Sequence, residues 1–219
     1  MPSILVVDDR SAMRDKVVAI TKACMPEGTN WDVIGSHPLT NMEDFLSFIV
    51  EEDVVALMLD EQLHEQMEYA EGEAVTYDGH DLVAFLRKGN PELPLFVVTS
   101  FAENEELIVH EDSVEAIISR NDFLTKPSTH VVRIVRAAQR FSQSLDQELS
   151  QLGEIAEKVA LGNASEEDVR RGKSLQTKLS LAHGIDIGTA ADFVPLAESL
   201  VKEAKEILAA IKAVGKNDQ

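Results

Sequence analysis

Apolar runs about as long as a β-strand recur through the first 130 residues of the chain. The run at residues 54–59 is apolar at every position, which is typical of a parallel strand buried on both faces. Runs of similar length, bounded by polar or turn-forming residues, predict the other strands. We therefore predict five strands, at Ser3–Val7, Asp32–Ser36, Val54–Leu59, Leu95–Thr99 and Asp122–Thr125.

Segments with the spacing of amphipathic helices separate these strands. They lie at Ser11–Cys24, Asn41–Glu51, Gly79–Lys88 and Asn104–Ser119. Alternating strands and helices are typical of βαβ units, in which the strands are parallel. The expected fold class is therefore α/β, with a five-stranded parallel, doubly wound sheet of the flavodoxin-like kind.

Beyond residue 129 the pattern becomes entirely helical. Apolar residues three or four positions apart over 134–159 predict one stripe along a long helix. This helix should end near Gly162-Asn163, which is a C-terminal stop signal. Ser165 and Asp168 have the spacing of an N-terminal cap for a second helix. A third helix is predicted from about Asp192.

We divide the chain into an α/β domain over 1–140 and an all-α extension of three helices over 141–219. Two arrangements of the extension stay open. Its long first helix can form a parallel coiled coil between two protomers, which makes a homodimer. The three helices can instead fold together as a bundle within one chain. In both arrangements the expected role of the extension is dimerisation or binding of a protein partner.

Composition narrows the class of partner. The 219 residues carry a formal net charge of −19, and the acidic excess extends through both predicted domains. Since nucleic-acid binding usually needs a basic patch, we expect no nucleic-acid partner. The single cysteine, Cys24, cannot form an internal disulfide. Neither a signal peptide nor an apolar stretch long enough to span a membrane is evident, so we expect a cytoplasmic protein without membrane contact.

Polar residues follow four of the predicted strands at the point where each strand ends. They are Asp8-Asp9, Asp60, Thr99 and Lys126. In open α/β sheets, ligands bind at the carboxyl ends of the strands, so these side chains should meet there. Three carboxylates, a hydroxyl and an ammonium group suit a divalent cation and a phosphoryl group.

The oxygen-rich set suits Mg²⁺ in particular. Asp9 and Asp60 can supply carboxylate ligands, Asp8 can act through water, and the backbone carbonyl of Gln62 can add another oxygen. A carboxylate can also attack a phosphoryl group to form an aspartyl phosphate. The Lys126 ammonium and the Thr99 hydroxyl can then stabilise the transferred group.

The chain resembles the receiver (CheY-like) domain of two-component response regulators. The motifs that carry the resemblance are Ile4–Met13, Leu57–Asp60, Phe96–Ser100 and Asp122–Pro127, in that order, and the resemblance covers residues 1–140. It implies a signalling switch that catalyses its own phosphoryl transfer and dephosphorylation, rather than an enzyme acting on a separate substrate. The implied phosphodonor is a histidine kinase.

The resemblance also implies a role for each site residue. Asp60 is the phosphoacceptor, and Asp8 and Asp9 hold Mg²⁺ together with Asp60. Thr99 and Lys126 contact the phosphoryl group, and the bond between Lys126 and Pro127 is expected to be cis. Phe123, three residues before Lys126, matches an aromatic switch position that responds together with Thr99.

The chain departs from the family pattern beside the acceptor. In the family an Asp-Gly pair is expected about seven residues after the acceptor, whereas here it is Asp78-Gly79, 18 residues after Asp60. The resulting insertion, at about 61–78, belongs to a stretch with seven carboxylates and no lysine or arginine between residues 61 and 81. It is either a solvated surface loop or a gate to the site. A metal site formed by His64, Glu65, Glu68 and His80 is a further alternative.

We expect a response regulator that accepts a phosphoryl group on Asp60 and controls a protein–protein output through its helical extension. One alternative is a scaffold protein with an inert receiver domain. The other is a Mg²⁺-dependent phosphatase. The phosphatase needs a general acid two residues after the nucleophile, where this chain has Gln62.

Overall fold

The sheet of the α/β domain has the predicted architecture. The computed structural model describes residues 1–64, 75–100, 102 and 111–183 of the chain. Neighbouring strands are parallel, in the order β2-β1-β3-β4-β5. This is the flavodoxin-like order of a doubly wound sheet, so the predicted fold class is confirmed. The strands are β1 (Ser3–Val7), β2 (Asp32–Ser36), β3 (Val54–Leu59), β4 (Leu95–Thr99) and β5 (Ala116–Ser119).

Six α-helices lie in the described part of the chain, together with a 3₁₀ turn at Glu111–Ser113. They are α1 (Ser11–Ala23), α2 (Asp44–Glu51), α3 (Gly79–Gly89), α4 (Arg120–Thr125), α5 (Pro127–Ala160) and α6 (Glu166–His183). The first three agree with the predicted helices to within a few residues.

The core consists of the three central strands and the apolar faces of the helices that flank them. Every residue of β1, β3 and β4 is buried, as expected for parallel strands covered on both faces. The helices contribute large buried side chains to the same core, among them Phe45, Ile49, Leu82, Leu86, Val131 and Ile134. This packing places the carboxyl ends of β1, β3 and β4 side by side.

The fifth strand differs from the prediction. It is Ala116–Ser119, and the segment predicted as a strand, Asp122–Thr125, belongs to helix α4. The Ser119 hydroxyl accepts a hydrogen bond from the backbone N–H of Asp122 at 3.2 Å, which caps α4. The predicted helix over 104–119 is therefore wrong at its C-terminal end, and its residues 104–110 lie outside the described part of the chain.

The described residues fall into two compact units: Met1–Ser144, to which residues 182–183 also belong, and Leu145–Leu181. In the second unit, the last part of α5 and helix α6 form a hairpin around Ile155 and Val159. Gly162 lies in the left-handed region with a φ of 72°, which fits its predicted role in ending α5.

The start of α6 and the contacts of the hairpin are also clear. Ser165 and Asp168 form the predicted cap, because the Asp168 N–H donates to the Ser165 hydroxyl at 3.1 Å. The Lys178 ammonium lies 2.5 Å from the Glu148 carboxylate. These contacts are within one chain, as the bundle alternative requires for these two helices. The predicted third helix lies outside the described residues, and the coiled-coil homodimer stays a prediction.

Among the described residues, no helix combines the length and the apolar content that a bilayer crossing requires.

Candidate functional site

Three buried carboxylates meet at the carboxyl edge of the sheet. Asp8 and Asp9 follow β1, Asp60 follows β3, and these two strands are hydrogen-bonded neighbours. The three side chains each offer an oxygen such that all these atoms lie within 4.8 Å of one another. Each residue is 3–4% exposed. The structure therefore brings together the three acidic residues singled out by the sequence.

Two arginines neutralise this cluster. Nη2 of Arg120 lies 2.5 Å from Oδ2 of Asp60 and 3.4 Å from Oδ2 of Asp8. Arg120 also donates to the Ser100 hydroxyl at 3.3 Å. Arg10 approaches from the other direction, with Nη2 at 3.4 Å from Oδ2 of Asp60. The acidic cluster is thus an ion-pair network, with one arginine from the start of α4 and one from the residue before α1.

The sheet register explains why Arg120 reaches the cluster. Thr99 pairs with Ser119 at the ends of β4 and β5, so the next residue, Arg120, leaves the sheet at the edge where Asp60 lies. Sequence reasoning missed this residue because the fifth strand was placed six residues too late. A signal existed in the apolar pair Ile117-Ile118, followed by Ser119 as a helix cap.

The structure contradicts the predicted place of Lys126. Its side chain is 67% exposed, and Nζ lies 2.9 Å from Oδ1 of Asp122, one helical turn earlier. The peptide bond before Pro127 is trans, not cis. Both corrections have one cause. The chain turns into α4 directly after Ser119, so Lys126 joins two helices, and Pro127 occupies the first position of α5, where its fixed φ is well tolerated.

Thr99, Phe123 and Gln62 occupy different environments. Thr99 is fully buried, and its side chain hydrogen-bonds to the Asp60 carboxyl. Phe123 is fully buried in α4, and its ring centroid lies 6.1 Å from that of His130. Gln62 is half-buried two residues after Asp60. The roles of Phe123 as a switch and of the Gln62 carbonyl as a ligand stay predictions.

Burial makes the carboxyl groups of the cluster hard to ionise. It raises the pKa of Asp60 to about 7, and the Asp8 charge adds to this effect. The Thr99 hydrogen bond and the Arg10 charge lower the same pKa, and the Arg120 guanidinium acts in the same direction. Burial likewise raises the pKa of Asp8 to about 6, against the opposing effect of Arg10. The cluster therefore needs positive charge to be fully ionised near neutral pH.

The segment after the acceptor is held by a close backbone approach. The Gly79 N–H donates to the Glu61 carbonyl at 2.7 Å. A Cβ at position 79 would lie 2.4 Å from the Asp60 carbonyl oxygen, so this approach requires glycine. Asp78 and Asp81 form the capping box that starts α3. The Asp-Gly pair displaced by the insertion thus supports the acceptor loop.

Two histidines pair with carboxylates beside this loop. Nδ1 of His80 lies 2.6 Å from Oε1 of Glu61, which is 2% exposed. Nδ1 of His64 lies 2.8 Å from Oδ1 of Asp78. The two histidines thus have separate carboxylate partners. The rest of the alternative metal site, Glu65 and Glu68, lies outside the described residues.

The carboxylate cluster suits a divalent cation. Oδ2 of Asp9 is buried and lacks a hydrogen-bond partner among the described residues. A buried carboxylate oxygen without a donor is costly, and a hard cation with a preference for oxygen ligands removes that cost. Asp8, Asp9 and Asp60 are therefore the residues that can hold Mg²⁺ here.

No protein-family model matches the chain, and no curated protein matches it. Solved structures do match, and many of them are response regulator receiver domains. One is the signal receiver domain of an HD domain-containing protein from Pseudomonas fluorescens Pf-5, at 12% identity, 65% coverage of this chain, 98% of that chain and a TM-score of 0.48. Another is the response regulator TrrA from Thermotoga maritima in complex with Mg²⁺-BeF. It has 15% identity and a TM-score of 0.42, and the match covers 60% of this chain and 99% of that chain. A third is a DNA-binding response regulator of the LuxR family from Staphylococcus aureus. It has 17% identity and a TM-score of 0.44, and the match covers 63% of this chain and 99% of that chain.

At these identities the similarity concerns the fold alone. The predicted resemblance of the α/β domain to receiver domains is confirmed at that level. The described residues beyond this domain belong to helices α5 and α6 and the turn between them.

Proposed function

We propose that this chain is a two-component response regulator that accepts a phosphoryl group on Asp60 from a histidine kinase in a Mg²⁺-dependent reaction. The observation that carries the proposal is the meeting of Asp8, Asp9 and Asp60 with Thr99 and Arg120 at the carboxyl edge of the sheet. Receiver domains act as signalling switches, and this set of groups suits phosphoryl transfer to a carboxylate.

In the proposed reaction a carboxylate oxygen of Asp60 attacks the phosphorus of the donor. The new bond joins Oδ of Asp60 to phosphorus, and the bond from phosphorus to the donor imidazole, or to a small acyl phosphate, breaks. Thr99 already hydrogen-bonds to Asp60, which supports the proposal that its hydroxyl donates to a phosphoryl oxygen. Arg120, rather than Lys126, supplies the positive charge opposite that group, because its guanidinium already contacts Asp60.

Asp8, Asp9 and Asp60 would hold the Mg²⁺, with the backbone carbonyl of Gln62 as a further candidate ligand. When bound, the cation neutralises negative charge on the carboxylates and on the transferred group. Its presence would also allow Asp8 and Asp60 to ionise at neutral pH, against the effect of their burial.

Helix α4 offers a route from the site to the surface. It begins at Arg120 and carries Phe123, fully buried, three residues later. A change in the partners of Arg120 therefore acts on the helix that positions Phe123. We propose that this movement reaches α5 and the helical part of the chain, where the output is a contact with a second copy or another protein.

One observation favours an inert-receiver scaffold as the second candidate. Arg10 and Arg120 already neutralise most of the acidic cluster without any cation. If these contacts are permanent, Asp60 is not available as a nucleophile. The scaffold predicts that Asp60→Asn leaves every property except local charge unchanged. The phosphatase alternative gains no comparable support from the structure.

The decisive experiment is intact-mass spectrometry after incubation with Mg²⁺ and acetyl phosphate. Wild type should gain one phosphoryl group, whereas Asp60→Asn should gain none. Asp15→Asn, an exposed carboxylate on α1, is the matched control and should behave as wild type. Light scattering on the same samples would reveal a change in oligomeric state. If wild type gains no adduct and shows no response to beryllofluoride, the switch is ruled out and the scaffold remains.

A further inference from the structure

The side chain of Arg10 contacts all three carboxylates of the cluster. Its Nη2 lies 3.4 Å from Asp60, and its Nε lies 3.7 Å from Oδ1 of Asp8 and 3.8 Å from Oδ1 of Asp9. Its backbone N–H also donates to Oδ1 of Asp8 at 2.9 Å. Arg10 thus faces the same oxygen atoms that a divalent cation would use.

Arg10 and Arg120 differ in how firmly they are held. The side chain of Arg120 is 7% exposed, and it has a third polar partner in the Ser100 hydroxyl. The side chain of Arg10 is 32% exposed. Moving a buried guanidinium away from its carboxylates is costly, because it leaves buried charges without partners. A guanidinium at the rim of the site can instead rotate on its flexible side chain and become hydrated. Arg10 is therefore the arginine that can leave the cluster.

A guanidinium and a divalent cation cannot use the same carboxylate oxygens together. Mg²⁺ requires oxygen ligands at about 2.0–2.1 Å in a nearly ideal octahedron. A guanidinium carries only donors and keeps its charge at every accessible pH, so it repels the cation and offers it no ligand. The unpartnered Oδ2 of Asp9 shows that Arg10 satisfies the cluster only in part.

We propose that Arg10 is a tethered cation that competes with the divalent cation for these carboxylates. Without the cation, its guanidinium neutralises the cluster and protects the fold from charge repulsion. When the cation binds, Arg10 leaves the carboxylates and turns toward solvent at the mouth of the site. The inference rests on the proposed function only in assigning these carboxylates to a divalent cation.

The test compares the cation affinity of wild type, Arg10→Gln and Lys16→Gln. Lys16 is exposed on α1 and loses the same charge, so it controls for the change in net charge. Free Mn²⁺ is counted by electron paramagnetic resonance, and Mg²⁺ is titrated in competition. Arg10→Gln should tighten the dissociation constant by about tenfold or more, since a charge in contact with the ligands is removed. Lys16→Gln should change it by less than about twofold.

A measurement on wild type keeps the test independent of how the variant folds. The Nε–H resonance of Arg10 is followed by NMR during a Mg²⁺ titration. We expect it to shift and to exchange faster with water as the cation binds. A resonance that stays unchanged while Mg²⁺ binds overturns the inference, as does an affinity in Arg10→Gln no tighter than in Lys16→Gln.

The two proposals fail in different ways. If Asp60 takes up a phosphoryl group but Arg10→Gln does not tighten cation binding, only the role of Arg10 is wrong. If Arg10→Gln tightens cation binding but Asp60 is never phosphorylated, only the proposed function is wrong. Absence of divalent-cation binding in wild type and both variants overturns the role of Arg10.

Discussion

Nη2 of Arg120 lies 2.5 Å from Oδ2 of Asp60, and both residues are almost completely buried. The same nitrogen also lies 3.4 Å from Oδ2 of Asp8, and Nη1 of Arg120 donates to the Ser100 hydroxyl at 3.3 Å. A guanidinium differs from an ammonium in this position, because its donors are fixed in one plane. The positive charge that faces the acceptor is therefore part of a network.

Replacing Arg120 should impair phosphorylation of Asp60, whereas replacing Lys126 should not. Arg120→Gln removes a preorganised charge next to the acceptor, so we expect the rate of adduct formation from acetyl phosphate to fall by about tenfold or more. Lys126→Gln is the matched control, because Lys126 is exposed and paired with Asp122. Its rate should stay within about twofold of wild type. A rate that falls in Lys126→Gln but not in Arg120→Gln would mean that Lys126, and not Arg120, acts at the acceptor.

Asp60→Asn should stabilise the protein at alkaline pH when no divalent cation is present. The pKa of Asp60 in the folded protein is about 7, above its ordinary value near 4. As pH rises through this window the unfolded chain releases its proton first, so the free energy of unfolding of wild type falls. Asp60→Asn also breaks the ion pair with Arg120, which offsets part of this gain, so we expect the variant to gain about 2 kcal/mol at pH 8.

Urea denaturation in the presence of a chelator measures this difference. The gain should vanish below about pH 3, where the carboxyl group is protonated in both the folded and the unfolded state. Asp15→Asn serves as the exposed control. Equal stability of wild type and Asp60→Asn at both pH values would mean that the arginines compensate Asp60 completely.

Glu61 should hold the pKa of His80 above its ordinary value. Burial lowers the pKa of His80. Its hydrogen bond to Glu61 and the charges of Glu61, Asp81 and Asp78 raise the pKa by more than burial lowers it, so the net shift is upward. We therefore expect Glu61→Gln to lower the pKa of His80, as measured by NMR titration of the imidazole. His64, which pairs with Asp78, is the internal control. A His80 titration that does not move in Glu61→Gln would contradict the contact.

Gly79→Ala should destabilise the α/β domain. The added Cβ would lie 2.4 Å from the Asp60 carbonyl oxygen and 2.9 Å from Cα of Glu61, and both are backbone atoms. We expect a loss of about 1–3 kcal/mol in the free energy of unfolding, together with a lower rate of Asp60 phosphorylation. Gly153→Ala is the control, and we expect it to raise the free energy of unfolding rather than lower it. Nothing lies within 4 Å of its Cβ position in α5, and alanine favours a helix.

Ile155→Ala should loosen the helical hairpin without disturbing the acceptor site. Ile155 is 5% exposed and packs with Val159, so we expect a local loss of about 2–4 kcal/mol. Hydrogen exchange of the amides over 145–181 measures it. Leu149→Ala is the control, because Leu149 is 45% exposed and should lose little protection. Unchanged exchange in Ile155→Ala would mean that the hairpin is not a cooperative unit.

Most of the sheet could be predicted from local pattern. β1, β3 and β4 are continuous or nearly continuous apolar runs, β2 has a short apolar pair between polar and turn-forming residues, and the ends of all four strands coincide with the predicted ends. Because parallel strands share one carboxyl edge, the residues that follow them had to meet. The sequence alone therefore determined that Asp8, Asp9, Asp60 and Thr99 form one cluster.

Only the tertiary structure decided the fifth strand and the residues that depend on it. Two short segments, at 116–119 and 122–125, can each form a four-residue strand, and the local signal for the first, Ile117-Ile118 before Ser119, does not exclude the second. The choice comes from pairing with β4, in which Thr99 meets Ser119, and that pairing is a contact between distant parts of the chain. It places Arg120 beside Asp60 and leaves Lys126 on the surface.

The same limit applies to Arg10 and to the helical hairpin. The residue after Asp9 lies next to the site in any version of this fold, but its contacts with all three carboxylates depend on where β1 and β3 place them. The spacing of apolar residues determined that α5 and α6 are helices, and the capping residues between them determined where α5 ends and α6 begins. Whether those helices pack against each other or against a second chain depends on which apolar faces meet in space, and one-dimensional periodicity does not contain that information.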